Sequence, residues 1–209
     1  MQAVTKVKIC GLRRPEDVVY VNEAGPDYIG FIFAPKSHRY ITPVQAKALR
    51  AMLVPGIVPI GVFVNAEIET VVKHVTEGTI EMVQLHGNED ATYIRSLRTR
   101  LPKTKIIRAI RVKTAEDVTD SLAVDADYLL YDACCAGQDG GTGQSFNWEL
   151  LNGVDRPFFL AGGLRPENIA TAIDTVKPYA VDVSSGVETD GYKDREKIRA
   201  LIARVREQH

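Results

Sequence analysis

The stretch Lys6-Val7-Lys8-Ile9-Cys10 alternates polar and apolar side chains, which is the pattern of a β-strand with two different faces. Val7 and Ile9 share one face, and their bulk suits packing against helices. We therefore expect Lys8 and Cys10 to point to the opposite side, into the interior of a barrel.

The stretch Tyr179–Ser184 repeats this design near the other end of the chain, with Val181 and Val183 on one face and Asp182 on the other. In a closed barrel, the first and last strands are neighbours. A buried charge without a partner would be costly, so we expect the ammonium of Lys8 to pair with Asp182.

Between these two stretches, apolar strand-like runs alternate with amphipathic helix-like runs. The predicted strands are Thr5–Cys10, Tyr28–Phe33, Val58–Asn65, Glu81–Leu85, Lys105–Ile110, Asp127–Asp132, Pro157–Ala161 and Tyr179–Ser184. The predicted helices lie near 15–24, 43–54, 67–77, 89–100, 115–122, 147–152, 166–175 and 194–207. Several of them begin with a small polar residue, a proline or acidic residues, which favour a helix N-terminus.

Eight strand–helix units predict the α/β class with a parallel sheet, and the even repeat favours a single (β/α)8 TIM barrel spanning residues 1–209 as one catalytic domain. The alternative is a doubly wound open sheet. Its usual glycine-rich G-x-G-x-x-G turn after the first strand is missing from this sequence.

Polar residues recur where the predicted strands end. They are Cys10, Arg39, Asn65, Gln84, His86, Arg108, Asp132, Gly162-Gly163 and Ser184-Ser185-Gly186. In a barrel these positions form one rim, which is where barrel enzymes place their chemistry. Loops are polar in any fold, but that explanation does not account for reactive types at nearly every strand end.

The composition excludes several functional classes. Hydrophobic residues make up 45% and charged residues 25% of the chain, and the net charge is −1, which provides no field for nucleic acid or an anionic membrane. No apolar run is long enough for a transmembrane helix, and the N-terminus lacks a signal-peptide pattern. Three cysteines, two of them adjacent, do not form a disulfide framework, so we expect a cytoplasmic protein.

Seven segments resemble the signature segments of the phosphoribosylanthranilate isomerase family of tryptophan biosynthesis, in the family's order. They are KICGL (8–12), PKSHRYI (35–41), GVFVN (61–65), VQLHG (83–87), YDACCAGQDGGTG (131–143), AGGLRPEN (161–168) and DVSSGVET (182–189). The resemblance implies an Amadori rearrangement of N-(5-phosphoribosyl)anthranilate to 1-(2-carboxyphenylamino)-1-deoxyribulose 5-phosphate. This reaction needs acid–base catalysis, and it implies a small-molecule substrate without cofactor or metal.

The resemblance also implies residue roles. Cys10 matches the general base and Asp132 the general acid. A free thiol has a pKa of about 8.5, so we expect a nearby cation, with Lys8 a candidate whose help is weakened by its pairing with Asp182. Arg39 matches the ligand of the anthranilate carboxylate.

The phosphate-binding loops of the family correspond to two glycine- and serine-containing loops in this sequence. Their small residues let backbone amides approach an anion. These residues are Gly162, Gly163, Ser184, Ser185 and Gly186. Gln84 and Asp182 are expected to bind substrate from the polar interior, and His86 to be a pocket wall rather than a base. Arg108 either reaches the substrate or neutralises a buried acid, and the sequence does not decide which.

Some features depart from the family. Gln144 follows the GGTG segment where a basic residue is frequent, Asn147 replaces the usual aspartate, and Cys134 and Cys135 match no motif. Two other functions stay open: a non-catalytic phosphate-binding barrel, and a dual-substrate isomerase of the histidine and tryptophan pathways, whose first strand ends in aspartate rather than cysteine. A monomer and a homodimer are equally compatible with the sequence.

Overall fold

The computed structural model describes residues 4–132 and 148–208. Eight parallel strands pair in chain order, and β8 pairs back with β1 to close a barrel. The strands are β1 (Lys6–Cys10), β2 (Tyr28–Ile32), β3 (Val58–Phe63), β4 (Met82–Leu85), β5 (Lys105–Arg111), β6 (Tyr128–Asp132), β7 (Phe158–Ala161) and β8 (Ala180–Val183). The closed order confirms the TIM barrel and excludes the doubly wound open sheet.

Helices cover the outside of the barrel between successive strands. They are α1 (Pro15–Ala24), α2 (Pro43–Met52), α3 (Ile68–Thr76), α4 (Ala91–Arg100), α5 (Ala115–Ser121), α6 (Ile169–Val176) and α7 (Arg195–Arg206). After β8 come a 3₁₀ turn (Ser185–Val187) and a small hairpin of β9 (Glu188–Thr189) and β10 (Tyr192–Lys193). In the part of the chain that the structure describes, no helix is long and apolar enough to span a bilayer.

The alternation of β1 is as the sequence predicts. Val7 and Ile9 belong to the large apolar cluster that packs strands against helices. Lys8 is completely buried and stands opposite Asp182 in the β1–β8 register, inside the barrel. A second apolar cluster, which includes Tyr28 and Phe159, has no member in common with the first.

The fourth helix starts later than the sequence predicts, because Glu89 is used in the preceding loop. Its carboxylate accepts hydrogen bonds from the backbone N–H groups of Asn65 and Gly87, at 2.7 and 2.9 Å. Asp90 is the N-cap instead, and it accepts from the N–H of Tyr93. A side chain that holds a neighbouring loop is not available to cap its own helix.

The sixth helical unit differs most from expectation. A helix was predicted near 147–152, and the described residues form a single 3₁₀ turn, Trp148–Leu151. The following helix begins at Ile169 rather than near 166, because Asn168 accepts a hydrogen bond from the N–H of Arg165 and holds the entry as a turn. Of the connection between β6 and β7, the described residues thus contribute one helical turn.

Candidate active site

A cavity of about 250 Å³ opens at the carboxyl ends of the barrel strands. Its walls include most residues that the sequence singles out: Cys10, Arg39, Gln84, His86, Asp132, Gly162, Gly163, Asp182, Ser184 and Ser185. These side chains come from strands spread over the whole chain and meet because parallel strands all end at one rim. Gly186 and Arg108 lie outside this lining.

Lys8 and Asp182 form a buried ion pair at the floor of the cavity, with Nζ and Oδ2 2.6 Å apart. Burial opposes the charge on Lys8, but Asp182 and Cys10 outweigh it and raise the pKa of this ammonium above its ordinary value. The predicted pairing is therefore present. The other carboxylate oxygen of Asp182, Oδ1, is buried without a hydrogen-bond partner among the described residues, and Asp182 faces the cavity.

Cys10 lies at the end of β1 with 6% of its surface exposed. Burial raises the pKa of its thiol above the ordinary value, and the positive charges of Lys8 and Lys193 only partly offset this effect. The cation expected from the sequence is thus at hand. It does not suffice to lower the pKa of Cys10, because burial of the thiol has the larger effect and the negative charge of Asp182 acts in the same direction as burial.

A row of polar contacts runs from this ion pair across the barrel. The Nζ of Lys8 donates to Oε1 of Gln84 at 2.7 Å. The amide nitrogen of Gln84 lies 3.0 Å from Nδ1 of His86, and Nε2 of His86 lies 3.4 Å from Oδ2 of Asp132. Gln84 therefore belongs to the polar interior, and His86 is both a wall of the cavity and a neighbour of Asp132.

The loops after β7 and β8 present closely packed backbone to the cavity. Gly162 and Gly163 have φ of 93° and 65°, a region that favours glycine. A Cβ added at Gly186 would overlap the carbonyl oxygen of Leu164, so only glycine lets these two loops approach. The hydroxyl of Ser184 donates to the carbonyl oxygen of Cys10 at 3.0 Å, which ties the β8 loop to the end of β1.

Arg39 is held by Glu188, a residue that the sequence analysis did not assign. Its Nε and Nη2 donate to the two carboxylate oxygens of Glu188 at 2.8 and 2.7 Å. Lys193, whose side chain is 1% exposed, donates to the same carboxylate at 2.6 Å. Burial alone would raise the pKa of Glu188, but the two cations outweigh it and lower the pKa to about 2.

This pairing changes how Arg39 can be used. A guanidinium carries five N–H donors, and Glu188 takes one edge of the fork. Arg39 also lines the cavity, and its Nη1 makes no hydrogen bond with the described residues. Glu188 lies within the DVSSGVET segment, but a charged residue among loop residues gives no sequence signal that it is buried.

The open question about Arg108 has an answer in the structure. Its Nη1 lies 3.3 Å from Oε2 of Glu89, whose side chain is 1% exposed, and its remaining contacts are carbonyl oxygens of Leu85, Gly87 and Ala109. Arg108 thus neutralises a buried acid. It stabilises the β4 loop and does not line the main cavity.

Several sequence features fall outside the described residues. These are the GGTG segment, Gln144, Asn147 and the pair Cys134 and Cys135. Within residues 4–132 and 148–208, no group of three or more histidine, cysteine, aspartate or glutamate side chains could hold a metal ion.

This chain is similar to known proteins over nearly its whole length. Residues 7–204 match the family model described as N-(5'-phosphoribosyl)anthranilate (PRA) isomerase. The N-(5'-phosphoribosyl)anthranilate isomerase of Endomicrobium trichonymphae is 48% identical over 201 residues, which cover 96% of this chain and 98% of the relative.

Two solved structures are also similar. One is a phosphoribosyl anthranilate isomerase in complex with reduced 1-(o-carboxyphenylamino)-1-deoxyribulose 5-phosphate, with a TM-score of 0.85 and 36% identity, covering 97% of this chain and 99% of that one. The other, of monomers generated from the dimeric enzyme of Thermotoga maritima, has a TM-score of 0.84 and 35% identity with the same coverage.

Proposed function

The chain belongs to the N-(5'-phosphoribosyl)anthranilate isomerase family, and we propose that Cys10 and Asp132 are the base and the acid of its reaction. It is an isomerase of tryptophan biosynthesis that converts N-(5-phosphoribosyl)anthranilate to 1-(2-carboxyphenylamino)-1-deoxyribulose 5-phosphate. The observation that carries the residue assignment is that both side chains, from β1 and β6, line one cavity together with the two glycine- and serine-containing loops.

The reaction needs proton transfer on two sides of the sugar. Asp132 gives a proton to the furanose ring oxygen, the C1′–O bond breaks, and the ring opens to a Schiff base. Cys10, as thiolate, then removes the C2′ proton, and the electron pair moves into the C1′–C2′ bond to give an enolamine. The enolamine tautomerises to the ketone. The Schiff base accepts the electron pair, so this scheme calls for no metal or redox cofactor.

The state of Cys10 constrains when this base can act. Because burial raises the pKa of Cys10, the thiol is the favoured form near neutral pH. The thiol therefore first gives its proton to solvent water, and the ammonium of Lys8 is the cation placed to stabilise the thiolate that forms. The cationic Schiff base also favours a nearby anion, because opposite charges within a few ångströms stabilise each other in a buried site.

The other site residues hold the substrate. Backbone groups of Gly162, Gly163, Ser184, Ser185 and Gly186 bind the phosphate. The free edge of Arg39 binds the anthranilate carboxylate with charge-assisted hydrogen bonds. Asp182 lines the cavity, and its Oδ1, which has no hydrogen-bond partner among the described residues, accepts from a sugar hydroxyl. Gln84 keeps Lys8 and His86 in place.

The biological setting is also part of the proposal. We assign residues 1–209 to one catalytic domain acting on a small molecule, with neither nucleic acid nor a membrane as partner. A cytoplasmic location fits the odd number of cysteines. The oligomeric state, monomer or homodimer, stays a prediction.

The test is to incubate the purified chain with freshly made phosphoribosylanthranilate and, separately, with the aminoaldose of histidine biosynthesis. We expect conversion of the first substrate to the aminoketose and no conversion of the second. Conversion of both would make the chain a dual-substrate isomerase. Binding of the phosphate compound without conversion would make it a non-catalytic barrel.

A further inference from the structure

The contact between His86 and Asp132 has no part in the reaction scheme above. His86 follows β4, two residues after Gln84, and Gln84 contacts Lys8 in the barrel floor. Five side chains thus form one row of contacts from Asp182 to Asp132. The donor and acceptor groups of each side chain determine which atom donates and which atom accepts at each contact.

Lys8 sets the direction at one end. An ammonium group has three donors and no acceptor, so the Gln84 atom that faces it must be the carbonyl oxygen. This ammonium is fully buried against the carboxylate of Asp182, which keeps it charged. The amide of Gln84 cannot turn over, since its NH₂ group would then face a buried cation at 2.7 Å.

The fixed amide sets the tautomer of His86. The amide nitrogen of Gln84 is only a donor, and it lies 3.0 Å from Nδ1 of His86, so Nδ1 must accept and cannot carry a proton. The proton of the neutral imidazole then belongs to Nε2. That nitrogen is the one that faces Oδ2 of Asp132, at 3.4 Å.

We propose that Lys8 and Gln84 lock His86 as the Nε2–H tautomer, and that His86 is thereby a positioning residue for Asp132. This inference rests on the proposed role of Asp132 as the general acid. The imidazole N–H of His86 contacts Oδ2 and so orients the carboxyl group of Asp132 for proton transfer to the substrate. After the transfer, the same N–H stabilises the carboxylate in place.

An imidazolium at His86 would need a proton on Nδ1, where it would meet the NH₂ group of Gln84. A charged histidine would stabilise the ionised form of Asp132, so a smaller fraction of Asp132 would carry the proton that the reaction needs. A neutral N–H donor orients the carboxyl group of Asp132 and reduces its protonated fraction less than an imidazolium would.

The direct test is the tautomer itself. In ¹⁵N-labelled enzyme, long-range ¹H–¹⁵N spectra at pH 7.5 distinguish the two neutral tautomers and the imidazolium of each of the four histidines. The signals of His86 are those absent from the spectrum of His86→Gln. We expect the Nε2–H pattern for His86. An Nδ1–H pattern, or an imidazolium, would overturn the proposal.

Gln84→Glu replaces the amide that donates to Nδ1 of His86 with a carboxylate that can only accept, with almost no change in shape. A carboxylate at this position accepts from both Lys8 and His86, so the proton of His86 should move to Nδ1 or both nitrogens should be protonated. We expect the spectrum to change accordingly and kcat to fall by about tenfold or more, a part of the about 10²–10⁴-fold that general acids contribute. An unchanged His86 pattern would contradict the lock.

A pair of substitutions at His86 gives a kinetic test that is independent of Gln84. The amide nitrogen of glutamine reaches the place of Nε2, whereas that of asparagine reaches only the place of Nδ1. We expect His86→Gln to keep at least about tenfold more kcat than His86→Asn, with similar KM in both. Equal kcat in the two variants would show that the donor at Nε2 is irrelevant.

Asp132→Asn separates this inference from the assignment on which it rests. If Asp132→Asn is inactive and His86→Asn is as active as the unchanged enzyme, the role of His86 is wrong and the acid assignment stands. If Asp132→Asn itself keeps full activity, the acid assignment fails first. A loss in both variants supports both.

Discussion

At the scale of single residues, the thiol of Cys10 lies near the ammonium groups of Lys8 and Lys193, inside a wall that excludes most water. Both cations favour the thiolate, but each is already engaged, Lys8 by Asp182 and Lys193 by Glu188. The effect of burial is larger than that of the two cations, so the pKa of Cys10 is raised. The thiol form of Cys10 is therefore favoured over the thiolate near neutral pH.

This raised pKa predicts how Cys10 reacts with iodoacetamide. Only the thiolate reacts, so the rate of alkylation should rise about tenfold per pH unit from pH 7 to 9 without a plateau in that range. The measurement is peptide mass spectrometry of the Cys10 peptide. In the urea-unfolded chain, the same thiol should level off near its ordinary pKa of about 8.5. A plateau below pH 8 in the folded enzyme would show a lowered pKa instead.

Arg39 allows a second prediction at this scale. Arg39→Met removes the charge that we propose binds the anthranilate carboxylate, and a charge-assisted contact contributes about 1.5–3 kcal/mol. We expect KM to rise by about 10- to 100-fold in steady-state kinetics. Arg50→Met is the matched control, because Arg50 also pairs with a glutamate, Glu81, but on the exposed surface. If KM were equal in the two variants, Arg39 would not be a substrate ligand.

At the scale of elements, the site depends on loops that follow β7 and β8 rather than on the strands alone. Gly186 lies against the carbonyl of Leu164, so the two loops that we assign to the phosphate hold each other's shape. The hydroxyl of Ser184 and the ammonium of Lys193 connect them to β1 and to the β9–β10 hairpin. Of the two loops that we assign to the phosphate, the one after β8 is thus hydrogen-bonded directly to the strand that carries Cys10.

Gly186→Ala tests this arrangement. The added methyl group overlaps backbone that cannot move aside without separating the loops, so we expect kcat/KM to fall by about tenfold or more, mainly through KM. Gly153→Ala is the control: Gly153 has φ of 87° but nothing within 4 Å of an added Cβ. It should lose about 1–2 kcal/mol of stability from backbone strain and keep its KM. Equal KM in the two variants would contradict the role of Gly186.

The elements also show where sequence patterns reach their limit. Apolar runs that alternate with amphipathic runs predict all eight strands and the order of the helices, except that the sixth predicted helix is a 3₁₀ turn among the described residues. They do not predict that Glu89 leaves its helix to bind the Asn65 loop, because that choice depends on a partner 24 residues away. The pairing of Glu188 with Arg39 and Lys193 is likewise invisible until the barrel closes.

At the scale of the whole molecule, closure of the barrel is what creates the chemistry. Lys8 and Asp182 are 174 residues apart in sequence, and the β1–β8 pairing places them 2.6 Å apart. The same closure puts Cys10 and Asp132 on one rim. Resemblance to a family could assign these residues from short motifs, but the raised pKa of Cys10 and the His86 contact required the assembled interior.

The scheme as a whole uses no metal, and this gives a prediction for the intact enzyme. After exhaustive treatment with EDTA and removal of the chelate, kcat and KM should equal those of the untreated enzyme. Elemental analysis of the treated sample verifies that metal has been removed. Loss of activity that a divalent cation restores would contradict a mechanism based on side-chain acid and base alone.

The most direct test of the central assignment is single-turnover kinetics of Cys10→Ser beside Asp132→Asn, with enzyme in excess over freshly made phosphoribosylanthranilate. Serine keeps the size of the side chain but is far too weak an acid to form the anion. We predict that Cys10→Ser folds, binds the product and isomerises about 10²–10⁴-fold more slowly, and that Asp132→Asn retains more activity, since the ring also opens spontaneously. If Cys10→Ser isomerised within about threefold of the unchanged enzyme, well inside the range expected of a general base, Cys10 would be a packing residue and the account would be wrong.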